Sequence, residues 1–174
     1  RHRGHPILFV HGICHGAWCW QPNFAPYLAD LGYDVHSLSL RGHADSAGRE
    51  ALHRSRLLDY VDDVVDVANS LSAKPIIIGH SMGGAVTQVA VLNHRELAHA
   101  AVLLTPMVPG GLKVREVLRT VKRGSVRSFL RLLRDRTLTP EQANRLPFFD
   151  NRLDADSAAL AADRLHTESW RALA

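Results

Sequence analysis

Short apolar runs alternate with stretches whose apolar residues recur at helical spacing through the first part of the chain. The runs fall at residues 7–10, 34–40, 75–78 and 100–104, and each is bounded by glycine, proline or polar residues, the pattern of β-strands. Between them, residues 18–31, 55–71 and 82–94 carry the helical spacing. In the second of these, Leu57, Leu58, Val61, Val64, Val65 and Ala68 form one stripe, while Asp59, Asp62, Asp63 and Asp66 fall on the face turned to water. Strands separated by helix-length segments predict βαβ units and a parallel sheet. PIIIG and AAVLL are apolar on both faces, as central parallel strands covered by helices should be.

The texture changes at PMVPGG, residues 106–111. Beyond it no strand-like run follows, and residues 112–174 read as short helices broken at Gly124, Pro140 and Pro147. The expected architecture is α/β: a mostly parallel sheet flanked by helices over residues 1–111, with a helical cap or lid over residues 112–174. There is no internal repeat.

Composition narrows the class. A chain of 174 residues is about one domain and can bury a real core. No apolar run approaches the roughly 20 residues needed to cross a bilayer, and RHRGHPILFV, although basic and then apolar, has too short an apolar part for a signal peptide. Cys14 and Cys19 are too few for a disulfide framework, which favours a reducing compartment and a cytoplasmic location. The net charge of +4 is uneven: between Leu112 and Arg136, nine Lys or Arg face two acids, giving +7 there and −3 elsewhere. Apolar and basic residues alternate through that stretch, the pattern of cap helices with a solvated basic face, with weak attraction to an anionic membrane surface or an acidic substrate as the other reading. Nothing resembles a nucleic-acid module.

The chemistry concentrates in three stretches. Gly79, His80, Ser81, Met82 and Gly83 fit G-x-S-x-G between a strand and a helix, the context in which the serine becomes an exposed nucleophile on a strained turn. The other reading is a capping serine. HGICHGAWCW, residues 11–20, follows the first strand. A serine attacking an ester needs two backbone N–H donors for the developing oxyanion, and Met82 and Ile13, the latter after a turn at Gly12, are the expected pair. His11, Cys14, His15 and Cys19 read as loop packing rather than as a metal site, because one short segment would have to supply all four ligands. SLRGHADS, residues 39–46, follows the second strand, where Gly42 suits a turn and Asp45 and Ser46 would brace the first loop. Gly12, His15, His80, Phe148, Phe149 and Trp170 are candidates for contact with substrate, the last three as apolar cap residues lining an acyl pocket.

These stretches, in this order, resemble the α/β-hydrolase superfamily. HGICHGAWCW is similar to the branch of plant methylesterases and hydroxynitrile lyases and their bacterial relatives. Lyases resembling this loop carry threonine where Gly12 stands, and some carry glutamate in place of His80, so this chain resembles the esterase side. The resemblance implies a serine hydrolase acting on carboxylic esters, thioesters or lactones through an acyl-enzyme on Ser81, with Ile13 and Met82 as the oxyanion hole and no cofactor. It also implies an acid and a histidine later in the chain. Thr105, Pro106 and Met107 leave the early acid position empty. Asp135, Asp150, Asp154, Asp156, Asp163 and Glu168 read as caps and solvated faces, and His94, His99 and His166 fall away from the serine, His166 in the last helix. The triad acid and base are thus not found, and the expectation is a chain that stops before them, with a pseudoenzyme or completion by a partner as the other accounts. A non-catalytic protein binding a small hydrophobic ligand is the alternative function.

Overall fold

The computed structural model of the chain describes residues 4–108, 110–111, 123–134, 137–146, 148–149 and 151–173. They form two compact units, residues 1–111 with 169–174, and residues 112–168.

In the first unit, four strands, β1 (Ile7–Val10), β2 (Val35–Leu38), β3 (Ile76–His80) and β4 (Ala100–Leu104), pair in the order β2-β1-β3-β4, all parallel. The register aligns Ile7 with both Val35 and Ile76, and Ile76 with Ala100. Every side chain of β1 is buried. Because side chains alternate across a strand, Ile7 and Phe9 pack on one face with Trp20, Ala25 and Leu28, while Leu8 and Val10 serve the other. Phe9 and Trp20 stack with ring centroids 4.4 Å apart.

The helical stretches are shorter than their patterns. Residues 18–31 resolve into a 3-10 turn, Ala17–Trp20, and helix α1, Phe24–Asp30; the other two become α2, Leu57–Ser70, and α3, Met82–Asn93. The buried stripe of α2 is Tyr60, Val61, Val64 and Ala68, whereas Leu58 is 59% exposed. Tyr60 takes the inward place because its ring meets the buried His43 edge-on, 5.4 Å away. Asp63 does not face water alone: it accepts from the backbone N–H and Nε of Arg41 at 2.9 Å each and pairs with Nη2 at 2.7 Å.

β4 departs most from its pattern. It forms an edge of the sheet, and Val102 and Leu103 are 41% and 40% exposed. Apolarity on both faces reports what a strand is suited to, and among the described residues no further strand lies beside it.

The second unit contains α4 (Arg123–Leu133), α5 (Pro140–Asn144) and α6 (Ala155–Arg164). Gly124 lies inside α4 instead of breaking it. Pro140 opens α5, where its missing N–H costs nothing, behind a capping box in which Thr139 and Gln142 exchange bonds. Asp154 caps α6 by accepting from the Ser157 N–H at 2.7 Å. Residues 112–122, most of the apolar half of the basic stretch, and Asp135, Pro147 and Asp150 lie outside the described residues.

Two readings of the last segment change. His166 follows the end of α6 and belongs to no helix, and Glu168 is fully buried, not solvated. Residues 169–173, including α7 (Trp170–Leu173), group with the first unit: α7 packs against α2 and the 3-10 turn Arg49–Arg54, and Ser169 Oγ donates to Ser55 O at 2.6 Å. Trp170, 51% exposed, therefore stands on the sheet-bearing unit, away from its expected place in the helical one. Among the described residues no helix is long and apolar enough to cross a membrane.

Candidate active site

Ser81 is the junction between β3 and α3. Its backbone sits at φ 52° and ψ −116°, a region that non-glycine residues occupy only when their surroundings enforce it. Here the enforcement is backbone contact. A Cβ on Gly83 would lie 2.5 Å from Val10 O and closer still to His11 O, and one on Gly79 would collide with Gly83 O and Thr87 Oγ1. Glycine at both positions lets the first turn of α3 lie directly on the ends of β3 and β1. Ser81 occupies the N-cap position, yet its hydroxyl makes no cap hydrogen bond. A capping role is therefore excluded, and the hydroxyl stays available at a helix N-terminus, where partial positive charge gathers.

The loop after β1 comes to this turn. A Cβ on Gly12 would lie 3.2 Å from Ser81 Cβ and 3.0 Å from His80 Nδ1, so Gly12, His80 and Ser81 share one small space. The loop is held by its own polar groups: His11 Nδ1 lies 2.8 Å from Gly12 O, and His11 Nε2 accepts from Leu40 N–H at 3.1 Å. Ser39 Oγ accepts from Ala17 N–H at 2.9 Å, and Ser46 Oγ donates to Ser39 O at 2.6 Å. Ser46 thus braces the first loop through Ser39. His15 Nδ1 lies 2.6 Å from Ile13 O, and its ring stacks on Trp18 at 5.3 Å.

Two backbone amides near Ser81, those of Ile13 and Met82, have no hydrogen-bond acceptor among the described residues, while both side chains are buried. The pair stands on either side of the Gly12–Ser81 contact, one on the loop after β1 and one at the start of α3.

Electrostatics around the turn favour neutral groups. Burial lowers the pKa of His80 below its ordinary value, and its ring meets Trp20 edge-on at 6.3 Å. Burial pushes the Cys19 thiol up to about 12, which leaves it inert, and Cys14 is buried and in no disulfide. Among the described residues no three His, Cys, Asp or Glu side chains gather as metal ligands would. Phe148 and Phe149 lie in the helical unit, their centroids 6.0 Å apart, with Phe129 6.0 Å from Phe148.

No histidine hydrogen-bonds Ser81 among the described residues. Both ring nitrogens of His11 are engaged with backbone. His5 and His99 stack at 3.6 Å at the opposite end of the strands. His94 ends α3, about 18 Å along a 12-residue helix from Ser81. Sequence reasoning missed the backbone of Leu104 and Met107: Ser81 N–H donates to Leu104 O at 3.0 Å, and Met107 N–H donates to Ser81 O at 2.8 Å. Their sequence distance from Ser81 hides them, and the unusual Thr-Pro pair after β4 is the signal that a tight turn follows.

Comparison with known proteins fits this geometry. The profile described as "Alpha/beta hydrolase family" matches residues 7–174. Methyl jasmonate esterase 1 of Vitis vinifera is 32% identical over 60% of this chain and 40% of its own length. Salicylic acid-binding protein 2 of Nicotiana tabacum is 33% identical over 61% of this chain and 41% of its own. The chain thus spans about two-fifths of the curated relatives it matches. A solved polyneuridine aldehyde esterase mutant is similar in fold, with a TM-score of 0.72 at 20% identity over 97% of this chain and 71% of that one. The chain belongs to the alpha/beta hydrolase family.

Proposed function

We propose that the protein is a serine hydrolase of carboxylic esters, thioesters or lactones, with Ser81 as nucleophile and the amides of Ile13 and Met82 as the oxyanion hole. The observation that carries this reading is an uncapped serine hydroxyl on a left-handed turn at the start of a helix, with the loop bearing Gly12 and Ile13 packed against it. Attack of Ser81 Oγ on the ester carbonyl converts the carbonyl oxygen into an oxyanion, which the two amides receive. Collapse expels the alcohol and leaves an acyl-enzyme, and water then releases the acid and restores the serine. Donors already fixed in place cost no reorganisation as the charge develops, which is why such a pair is worth several kcal/mol in a barrier. His80 and Gly12 border the space, and in this reading the neutral His80 ring contacts substrate.

The relatives' names support an ester as substrate. Hydrolysis of p-nitrophenyl acetate or butyrate, and labelling by a fluorophosphonate, should both be lost in Ser81→Ala by several orders of magnitude. Turnover that survives this change would remove Ser81 from the reaction.

A second reading has its own support: no histidine is hydrogen-bonded to Ser81 among the described residues. In it the same cleft holds a small hydrophobic carboxylic ligand without turning it over. It predicts saturable binding of such an acid by a chain that a fluorophosphonate does not label. Two cysteines that form no disulfide support a cytoplasmic setting under either reading. The exposed Arg127 of α4 and Arg134 just after it support weak contact with anionic surfaces.

A further inference from the structure

The peptide joining Ser81 to Met82 carries the Ser81 carbonyl and the Met82 amide, and in a planar trans peptide these point in opposite directions. Whatever fixes the oxygen therefore aims the N–H. Three backbone donors converge on Ser81 O: Gly84 N at 3.0 Å, Ala85 N at 3.2 Å and Met107 N at 2.8 Å. The first two belong to the opening turn of α3 and would occur in any helix. The third is the shortest and comes from the loop after β4.

That loop is shaped to deliver it. Leu104 O first accepts the Ser81 N–H, and the chain then turns at Thr105 with φ 41°, a left-handed conformation that a β-branched residue rarely adopts. Pro106 lands on Gly84, where a Cβ would lie 2.7 Å from Pro106 Cβ. Met107 is 7% exposed, and its own carbonyl accepts from Gln88 Nε2 at 3.4 Å, while the same nitrogen donates to Gly84 O at 3.2 Å. Gln88 thus bridges the second turn of α3 to the loop. Backbone strain such as that at Thr105 persists only where neighbours over-determine it, and the neighbours here converge on one peptide. A carbonyl that accepts hydrogen bonds also polarises its own amide, which makes the N–H a stronger donor.

We infer that Gln88 is a positioning residue for the oxyanion hole: by holding Met107, it sets the plane and polarity of the 81–82 peptide and so aims the Met82 N–H. The inference rests on the proposed function for what that amide receives, but the brace itself is a property of the backbone.

Gln88→Met keeps the length of the side chain and removes the donor. In the folded chain it should move the Met82 amide resonance, speed deuterium exchange at the Met107 amide by about tenfold, and slow fluorophosphonate labelling of Ser81 by about tenfold. The melting temperature should stay within a few degrees, which separates positioning from general loosening. An unmoved Met82 resonance with unchanged exchange at Met107 would overturn the inference, as would undiminished labelling in a variant whose wild type labels. A wild type that never labels would count against Ser81 as nucleophile, and the two amide readouts would still decide the brace. If Gln88→Met does not fold, Gln88→Asn, which keeps the amide but shortens its reach, must move the same readouts in the same direction.

Discussion

Gly12 stands directly against Ser81: a methyl group on Gly12 would lie 3.2 Å from Ser81 Cβ and 3.0 Å from His80 Nδ1. Contacts this tight force neighbours to give by a few tenths of an ångström, and under the proposed function a displaced Ser81 would react slowly. Gly12→Ala should fold normally and lower fluorophosphonate labelling by about tenfold. Gly12→Thr, with a second branch at the same atom, should lower it by about a hundredfold, the scale of a 1 Å misplacement. Equal labelling rates in wild type and Gly12→Thr, with native circular dichroism in both, would show that this contact does not matter to the serine.

His80 makes stability depend on pH. Its folded pKa lies below the ordinary 6.5 because burial disfavours the charged ring. The unfolded chain therefore binds the extra proton first, so stability contributed by the neutral ring is full above about pH 6.5 and is lost as pH falls towards the folded value. In urea titrations, the difference between wild type and His80→Gln should be constant above that pH and shift in favour of the variant below it. A difference that stays constant down to pH 5 would mean that the ring is solvated in the folded state.

What could be read from the sequence was what local spacing encodes. The turn at Ser81 needed only a strand, two glycines and a helix within a dozen residues, and the parallel sheet followed from the alternation of runs and helical stretches. Features that depend on residues distant in sequence were hidden. Helical periodicity places Asp63 on the solvent side of α2, and nothing in that pattern reveals Arg41 waiting 22 positions earlier to bind it. The double-faced apolarity of AAVLL describes a strand fit for burial, not whether a neighbour lies beyond it. Sequence adjacency puts Trp170 with the helical region it follows, while packing returns it to the sheet-bearing unit.

Gly83 is the position where the fold should be least forgiving. A Cβ there would meet two backbone carbonyls at the end of β1, Val10 O at 2.5 Å and His11 O, and backbone cannot rotate away as a side chain can. Overpacking of this kind typically costs 1–3 kcal/mol and occasionally more, and Gly83→Ala should fall at about 3 kcal/mol. Helix propensity acts the other way, favouring alanine by about 1 kcal/mol, so the sign of the result decides between the two effects. A variant as stable as wild type in urea would mean that α3 can slide off β1 without loss.

The free edge of β4 should govern association. Its outer backbone N–H and C=O groups have no strand beside them among the described residues, and Val102 and Leu103 add exposed apolar surface with no lysine, proline or bulge to guard it. Edges of that kind template pairing with another chain. Val102→Lys places a charge on the exposed strand at little cost in stability, about 0.5 kcal/mol or less for a surface site. It should raise the monomer fraction measured by sedimentation velocity at a fixed concentration. Leu92→Lys, at a side chain 69% exposed on α3 and away from the edge, removes at least as much exposed apolar surface without touching the strand. If the two lysines suppress association equally, general hydrophobicity is responsible; if only Val102→Lys does so, the contact is made strand to strand.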